Sequence, residues 1–156
     1  MIAIRKAQNS DVDAIFALRS RSIIAKCTGF YSEEQIKFWT QGTVTTEFTR
    51  DVIDNFYVSV VAGQVIGSGK LNITSGMLDA IFVEPEFFGK GAAKQMLAFL
   101  EALAIEHNLP SIKLDSTLNA APFYRGCGFI GEQVSSYHSP RGISLDCVSM
   151  YKNLLV

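Results

Sequence analysis

Residues 83–97 join a predicted strand to a predicted helix through a turn that contains Pro85, Gly89 and Gly91. Because glycine has no Cβ, the backbone of such a turn can lie directly against a ligand. The first turn of the following helix adds N–H groups without intrahelical partners and the positive end of the helix dipole. The sequence therefore predicts a binding site for a phosphate-bearing ligand at this turn.

Length and composition limit the class of protein. The chain has 156 residues, 48% of them hydrophobic and 19% charged, with a net charge of −1. We expect one domain over residues 1–156, with a single core. No basic stripe or polybasic patch is present, so neither nucleic acid nor a membrane surface is an expected partner.

The cysteines and the N-terminus bear on the cellular compartment. Cys27, Cys127 and Cys147 are widely spaced and form no metal-ligand pattern, so we expect free thiols and no metal. The residues after Met1 lack a signal-peptide layout, and the longest apolar stretch is too short to span a bilayer. The sequence therefore predicts a soluble, cytoplasmic protein.

Hydrophobic periodicity and turn residues predict a mixed α/β fold. Strands are expected at residues 2–6, 56–62, 65–73, 77–83, 111–115, 129–137 and 143–152. Helices are expected after Asn9-Ser10-Asp11, after a capping box of Ser32 and Gln35, and over residues 89–108 and 120–127. The predicted order is β-α-α-β-β-β-α-β-α-β-β, with hairpin turns at Gly63-Gln64 and Ser139-Pro140-Arg141-Gly142. This order excludes a run of βαβ units.

Two nucleotide-binding motifs do not fit the spacing of the glycine turn. A P-loop needs Ser or Thr after a Gly-Lys pair, whereas Lys90 lies between the two glycines and Ala92 follows. The dinucleotide fingerprint needs a third glycine where Lys94 stands, and the turn here follows an antiparallel meander. A bare Gly-x-Gly is also compatible with a tight turn that binds nothing.

Two segments resemble one known family. Val83-x-Pro85-x-Phe87-Phe88-Gly89-x-Gly91, before an amphipathic helix, resembles the acetyl-CoA loop of the GCN5-related N-acetyltransferase (GNAT) superfamily. That loop commonly reads Val-x-Pro-x-Tyr-Arg/Gln-Gly-x-Gly-x-Gly/Ala. The segment from Leu118 to Phe129 resembles the family's Asn-x-x-Ala-x-x-Phe-Tyr-x-x-x-Gly-Phe region. The element order agrees along nearly the whole chain, so the chain is identified as a member of this superfamily.

The resemblance implies a fold and an activity. The fold would be a GNAT-like mixed, mostly antiparallel central sheet of about seven strands with flanking helices. The activity would be an acyltransferase reaction that moves an acetyl group from acetyl-CoA directly to a primary amine of a small molecule or peptide, without a metal. Phe30, Tyr31, Phe38 and Trp39 concentrate aromatics in the first helix pair, which with the loop between strands six and seven would form the acceptor site; Phe38 and Trp39 are equally compatible with the core.

The resemblance also implies which residues bind the co-substrate. The CoA pyrophosphate would accept hydrogen bonds from the backbone N–H groups of Gly89, Lys90, Gly91, Ala92 and Ala93. Pantetheine would lie like an added strand beside Ile81, Phe82 and Val83. Thr117 or Asn119 would contact the pantetheine or an ordered water.

Phe88 departs from the family pattern. The family usually has Arg or Gln at this position, and a phenylalanine cannot donate a hydrogen bond to the pyrophosphate. CoA affinity could therefore fall although the backbone contacts persist. Lys90 could supply compensating charge or could be a solvated lysine at the helix start.

Two residues are candidates for the proton transfers. Tyr124 matches the family tyrosine near the CoA sulfur and could protonate the departing thiolate, although it could also simply pack beside Phe123 and Phe129. Asp79, on the strand that would present the thioester, could accept the amine proton or could face solvent. Glu84 is a weaker candidate for the base.

The remaining candidates carry no visible partner. His107 is expected to cap a helix end, His138 lies beside a turn, and nothing nearby marks Cys127 as a nucleophile. The alternative function is a non-catalytic GNAT-fold module that binds CoA or an acyl-CoA, and a third possibility is that the chain binds no CoA. A hairpin near the C-terminus could pair two subunits as a homodimer.

Overall fold

The structure is a computed structural model that describes residues 1–138 and 142–155. Its strands are β1 (Ala3–Lys6), β2 (Phe56–Val61), β3 (Gln64–Leu71), β4 (Leu78–Val83), β5 (Ser111–Thr117), β6 (Val134–His138) and β7 (Ser144–Asn153). Its α-helices are α1 (Val12–Cys27), α2 (Glu33–Thr40), α3 (Thr46–Asn55), α4 (Ala92–Glu106) and α5 (Ala121–Gly126). Short 3₁₀ turns at Asn9–Asp11 and Pro85–Phe87 precede α1 and the glycine turn.

The strands form two antiparallel sheets, one in the order β1-β2-β3-β4 and the other in the order β5-β7-β6. The sheets meet between β4 and β5, where Met77 and Lys113 form a single parallel bridge and the Lys113 N–H donates to the Gly76 carbonyl at 3.0 Å. Beyond this contact β4 and β5 separate. The expected mixed fold of about seven mostly antiparallel strands is confirmed, and the separation positions the site.

The long helix α4 covers the sheets at this junction. Met96, Leu97 and Leu100 are buried with Ile112 and Leu114 of β5 in the largest apolar cluster. Gly69 of β3 permits this contact, because a Cβ there would lie 2.6 Å from Cγ of Met96. Each such aliphatic side chain contributes about 1.5–3 kcal/mol when fully buried, so α4 holds both sheets in place.

Several local predictions are confirmed. Ser32 and Gln35 form the expected capping box at the start of α2, with the Gln35 N–H donating to Ser32 Oγ at 3.0 Å. The β2–β3 hairpin also forms, although its turn lies one residue earlier than predicted. Ala62 and Gly63 have φ values of 50° and 79°, which is the geometry that two-residue hairpins favour.

One helix is absent from the predicted order, and one predicted strand boundary is wrong. The predicted order lacks α3, whose N-cap residue Thr45 accepts a hydrogen bond through its side chain from the Phe48 N–H at 3.1 Å. Phe48 and Val52 of α3 pack into one apolar cluster, but two such positions in ten residues are too few to establish a helical period from the sequence. The strand predicted at residues 129–137 begins only at Val134, because Gly131 has a φ of 147° and lies so close to the Ser149 carbonyl that a Cβ would clash.

The predicted turn Ser139-Pro140-Arg141-Gly142 lies mostly outside the described residues, since only Gly142 belongs to them. Its role in joining β6 to β7 stays a prediction.

Candidate active site

A cavity of about 380 Å³ lies where β4 and β5 separate. Its wall is formed by β4, the end of β5, Tyr124 of α5, Ile15 and Arg19 of α1, and aromatic side chains of α2 and α3. Ile81 and Phe82, predicted to lie beside pantetheine, line this cavity, as does Thr117. Val83 instead faces a small cluster with Ile66 and Ala92.

A β-bulge interrupts β4 at the cavity wall. The register passes from Ser68↔Phe82 to Lys70↔Asp79, so that Ala80 and Ile81 lie opposite the single residue Gly69. Ala80 adopts a φ of 55°, a conformation that costs a non-glycine residue about 1–3 kcal/mol. Bulges commonly redirect side chains and backbone groups next to active sites.

Two side chains hold the bulge in this conformation. Asp79 Oδ1 accepts a hydrogen bond from the Ala80 N–H at 2.7 Å, and Ser68 Oγ donates to the Ala80 carbonyl at 2.8 Å. Ser68 is buried, so little water competes for its hydroxyl. Asp79 therefore has a structural role in addition to the catalytic role predicted for it.

The Asp79 carboxylate lies in the cavity wall. Asp79 is exposed to solvent through the cavity, although neighbouring cavity residues partly surround its carboxylate. Burial raises the pKa of Asp79 above its usual value, with smaller raising effects from Asp51 and Asp115. The hydrogen bond from Ala80 and the charge of Lys70 act in the opposite direction. A carboxylate with a raised pKa is a stronger base than an ordinary aspartate.

Tyr124 enters the same cavity from α5. Its ring lies edge-on to Phe123 and Phe129, with centroid distances of 5.2 Å and 5.6 Å. Burial, followed by the nearby Asp79 carboxylate, raises the pKa of the Tyr124 phenol. The phenol is therefore protonated at neutral pH and can donate a hydrogen bond or a proton.

Polar side chains that the sequence did not single out complete this wall. Lys70 Nζ and Asp51 Oδ2 form an ion pair at 2.7 Å, and Asp115 and Tyr137 lie nearby in the cavity lining. Burial raises the pKa of the Tyr137 phenol, and the Asp79 and Asp115 carboxylates raise it further. Alternation along β3 and β5 could have placed Lys70 and Asp115 on one face, but Asp51 required knowledge of α3.

Aromatic residues form the opposite side. Tyr31 Oη donates to the Asp146 carbonyl at 2.6 Å and accepts from the Leu118 N–H at 3.0 Å, which ties the segment before α2 to β7 and to the segment that follows β5. Trp39 lies edge-on to Tyr31 at 5.7 Å, and its carbonyl accepts a hydrogen bond from Arg19. Tyr31 and Trp39 thus line the cavity, whereas Phe30 is exposed and Phe38 is half-buried outside its wall.

The glycine turn lies between β4 and α4. Gly89 and Gly91 have φ values of 76° and 82°, and Gly91 is the N-cap residue of α4. A Cβ built on either glycine would meet no atom within 4 Å, so the space beside the turn is open. Ala92 is buried, while Gly89 and Lys90 are exposed. The turn and the first turn of α4, which includes Ala93, therefore offer backbone N–H groups to an anion.

Glu84 does not face the cavity. It is 5% exposed and accepts two hydrogen bonds from Arg21 of α1, at 2.7 Å and 2.6 Å. This paired carboxylate holds α1 against the end of β4.

Asn119 lies beside Cys27 rather than in the cavity wall. Burial raises the pKa of Cys27 to about 11, and a hydrogen bond from Asn119 partly offsets this rise. Within the described part of the chain, Asn119 Oδ1 is buried without a hydrogen-bond partner.

The other polar candidates have local partners. His107 Nδ1 lies 3.0 Å from the Leu103 carbonyl at the end of α4, and His138 Nδ1 lies 2.8 Å from Ser144 Oγ. The Cys127 carbonyl accepts a hydrogen bond from Lys152 at 2.8 Å. Among residues 1–138 and 142–155, no group of three His, Cys, Asp or Glu side chains could hold a metal ion. Nor is any helix of that part of the chain both long and apolar enough to cross a membrane.

Solved structures share this architecture. A GCN5-related N-acetyltransferase from Rhodopseudomonas palustris is 23% identical, with a TM-score of 0.89 that covers 97% of this chain and 94% of that one. PaiA N-acetyltransferase from Thermoplasma acidophilum, crystallised in complex with coenzyme A, is 20% identical, with a TM-score of 0.79 over 98% of this chain and 99% of that one. At these identities the likeness shows a shared fold.

The sequence also matches known proteins. The uncharacterized N-acetyltransferase YafP from Escherichia coli K12 is 25% identical over 128 residues, which are 82% of this chain and 81% of that protein. The family model described as acetyltransferase (GNAT) domain matches residues 27–152. The match covers β2 to β7 with the glycine turn and the cavity, and on this basis the chain belongs to the GNAT acetyltransferase family.

Proposed function

We propose that residues 1–156 act as one N-acetyltransferase domain that moves an acetyl group from acetyl-CoA directly to a primary amine of a small molecule or peptide. The observation that carries this proposal is the meeting of Asp79 and Tyr124 in one cavity, at the separation of β4 and β5. Each supplies one of the two proton transfers that the reaction needs.

The glycine turn would bind the co-substrate. Backbone N–H groups of Gly89, Lys90, Gly91, Ala92 and Ala93 would bind the pyrophosphate, with Phe88 beside them. Pantetheine would then follow Ile81 to the bulge. The solved complexes of PaiA with coenzyme A, and of Neisseria gonorrhoeae N-acetylglutamate synthase with coenzyme A and N-acetyl-glutamate, support a CoA site in this fold.

The chemistry would proceed by direct attack. The neutral amine attacks the thioester carbonyl carbon, the C–N bond forms and the C–S bond breaks. Asp79 accepts the proton that the nitrogen loses, directly or through water. Tyr124 donates its proton to the departing CoA sulfur. Burial disfavours the charged thiolate as it disfavours the charged phenolate, so it raises the pKa of the CoA thiol as well. The transfer therefore does not demand an unusually acidic tyrosine.

The cavity wall supports an amine acceptor. Four aspartates line the cavity against two cationic residues, which leaves an excess of negative charge where the acceptor nitrogen would lie; they are Asp51, Asp79, Asp115 and Asp146, with Arg19 and Lys70. Tyr31 and Trp39 provide an apolar face on the other side. Negative charge increases the local concentration of a cationic amine before it loses its proton.

Steady-state assays test this function. Purified protein is mixed with acetyl-CoA and a panel of small-molecule and peptide amines, and CoA thiol release is followed together with the mass of the acetylated product. We expect turnover with at least one amine class. Acetyl-CoA binding by calorimetry without turnover on any amine would favour the alternative, a non-catalytic CoA or acyl-CoA binding module, for which the apolar Phe88 is the supporting observation.

Two further points complete the proposal. A cytoplasmic location agrees with three free cysteines. A homodimer could form through β6, whose side chains are all exposed and include Val134 and Tyr137. Light scattering after size-exclusion chromatography measures the subunit number, and a monomer at all concentrations would contradict the dimer.

A further inference from the structure

The ammonium group of Lys26 lies over the face of the Phe88 ring. Lys26 Nζ lies 4.2 Å from the Phe88 ring centroid, well inside the distance at which a cation is attracted by an aromatic face. Phe88 itself is half-buried beside Ile66, Val83 and Ala92. The half-buried ring thus lies next to Gly89, and the ammonium group over its face lies at the edge of the glycine turn.

Lys26 belongs to the helix that an ion pair holds against the end of β4. Lys26 belongs to the last turn of α1. Five residues earlier, Arg21 forms the two-hydrogen-bond pair with the buried Glu84, the residue that directly follows β4. This pair holds α1 against the end of β4, which places the last turn of α1 near the glycine turn.

A second pair repeats the arrangement on the neighbouring residue. Lys90 Nζ lies 5.4 Å from the ring centroid of Phe87. The turn therefore has two ammonium groups over adjacent rings. The charge of Arg21, by contrast, is paired with that of Glu84. Glu86 is the exposed carboxylate of this segment. The balance of free charge beside Gly89 and Gly91 is positive, which suits a pyrophosphate.

We propose that Lys26 binds the pyrophosphate of CoA from its position on the Phe88 ring. This inference rests on the proposed function, because it assumes that acetyl-CoA occupies the glycine turn. Phe88 has no polar atom, so it contributes by holding the lysine rather than by touching the phosphate. The ammonium group is exposed and so is accessible to phosphate, and a charge-assisted hydrogen bond to phosphate is stronger than its contact with the ring.

Calorimetry with 3′-dephospho-CoA and CoA tests this role. We expect Lys26→Gln to weaken both ligands about tenfold, which is the usual effect of losing one charge-assisted hydrogen bond. Lys26→Arg should restore most of the affinity. Lys113→Gln, which removes an exposed lysine on β5, is the matched control and should leave the affinity unchanged.

Two further readouts separate binding from a structural effect. The affinity of the Lys26→Gln variant should depend less on salt, because one ionic contact is lost. Phe88→Leu should weaken binding by itself but add little to Lys26→Gln in the double variant, since the ring acts through the lysine.

Each contrary outcome is specific. Unchanged affinity of Lys26→Gln, or an equal loss in Lys26→Arg, would overturn the assignment. A loss seen with CoA but absent with 3′-dephospho-CoA would also overturn it, because the contact would then be to the 3′-phosphate. If the wild-type protein binds neither ligand, the proposed function fails first, and this result is distinguishable from failure of the Lys26 contact alone.

Discussion

Asp79 and Tyr124 face one cavity from different elements, and burial, followed by the charge of the Asp79 carboxylate, raises the pKa of the Tyr124 phenol. The two groups are therefore close enough to sense each other's charge. A base and an acid that serve one reaction need this kind of arrangement, because the proton taken from the amine and the proton given to sulfur move at the same centre.

Replacing Asp79 by Asn should lower kcat/KM about 100-fold, the loss usually seen when a general base is removed. Asn retains an oxygen that can accept from the Ala80 N–H, so the bulge and the affinity for acetyl-CoA should persist. Steady-state kinetics and calorimetry measure the two effects. Asp13→Asn, on the exposed face of α1, is the control. A change of less than twofold in Asp79→Asn would show that another group takes the proton.

Replacing Tyr124 by Phe should lower kcat by about tenfold or more while the dissociation constant of acetyl-CoA stays unchanged. The ring contacts with Phe123 and Phe129 do not need the hydroxyl, so the fold should be kept. Pre-steady-state acetyl transfer measures the chemical step. Tyr151→Phe, an exposed tyrosine on β7, serves for comparison. Equal losses of kcat and affinity would indicate a packing role instead.

The stability of the protein should depend on Asp79 in a defined direction. A carboxyl group whose pKa is raised on folding stabilises the fold fully below its unfolded pKa, and this contribution is lost as pH rises through the folded pKa. Asp79→Asn should therefore raise Tm at pH 7 and have little effect on Tm at pH 3. Thermal unfolding across this pH range measures the difference. A larger gain at acidic pH than at neutral pH would have the wrong sign.

The same raised pKa should appear in the kinetics. The base must be ionised to accept a proton, so kcat/KM should rise with pH through a limb above the ordinary aspartate range. A pH series with an amine whose own pKa lies well below this limb separates the enzyme group from the substrate. In Asp79→Asn the limb should disappear. A limb that persists unchanged in the variant would assign it elsewhere.

Breaking the pair between Arg21 and Glu84 should destabilise the protein by about 1–3 kcal/mol, because a buried carboxylate would lose its hydrogen-bond donors. The expected loss is smaller than for a fully buried ion pair, because the Arg21 side chain is 55% exposed and water partly screens the pair. Urea unfolding of Arg21→Ala measures it, with the exposed Arg50→Ala for comparison. A loss below about 0.5 kcal/mol would match a surface substitution and contradict this role.

The sequence predicted elements best where periodicity and capping agreed. Helix α4 and the Ser32 capping box were predictable because the apolar spacing and the side-chain hydrogen bonds are local. Helix α3 is harder to predict because its apolar residues, Phe48, Val52 and Ile53, are too few in ten residues to establish a helical period. The late start of β6 follows from the close contact of Gly131 with Ser149, which no local pattern encodes.

The residues of the site also divide into those in local motifs, which could be predicted, and those brought together by packing, which could not. Tyr124 and the glycine turn could be named because each belongs to a contiguous motif. The bulge at Ala80 could not, since it exists only through the register of β3 against β4. The ion pair of Asp51 and Lys70 joins α3 to β3, and Lys26 reaches Phe88 from α1. Such contacts depend on the packing of distant segments.

A crystal structure of the protein with acetyl-CoA is the decisive measurement. The account predicts the pyrophosphate on the backbone N–H groups of Gly89 to Ala93 and the thioester between Asp79 and Tyr124 in the cavity where β4 and β5 separate. A thioester outside this cavity, or CoA bound away from the glycine turn, would contradict it.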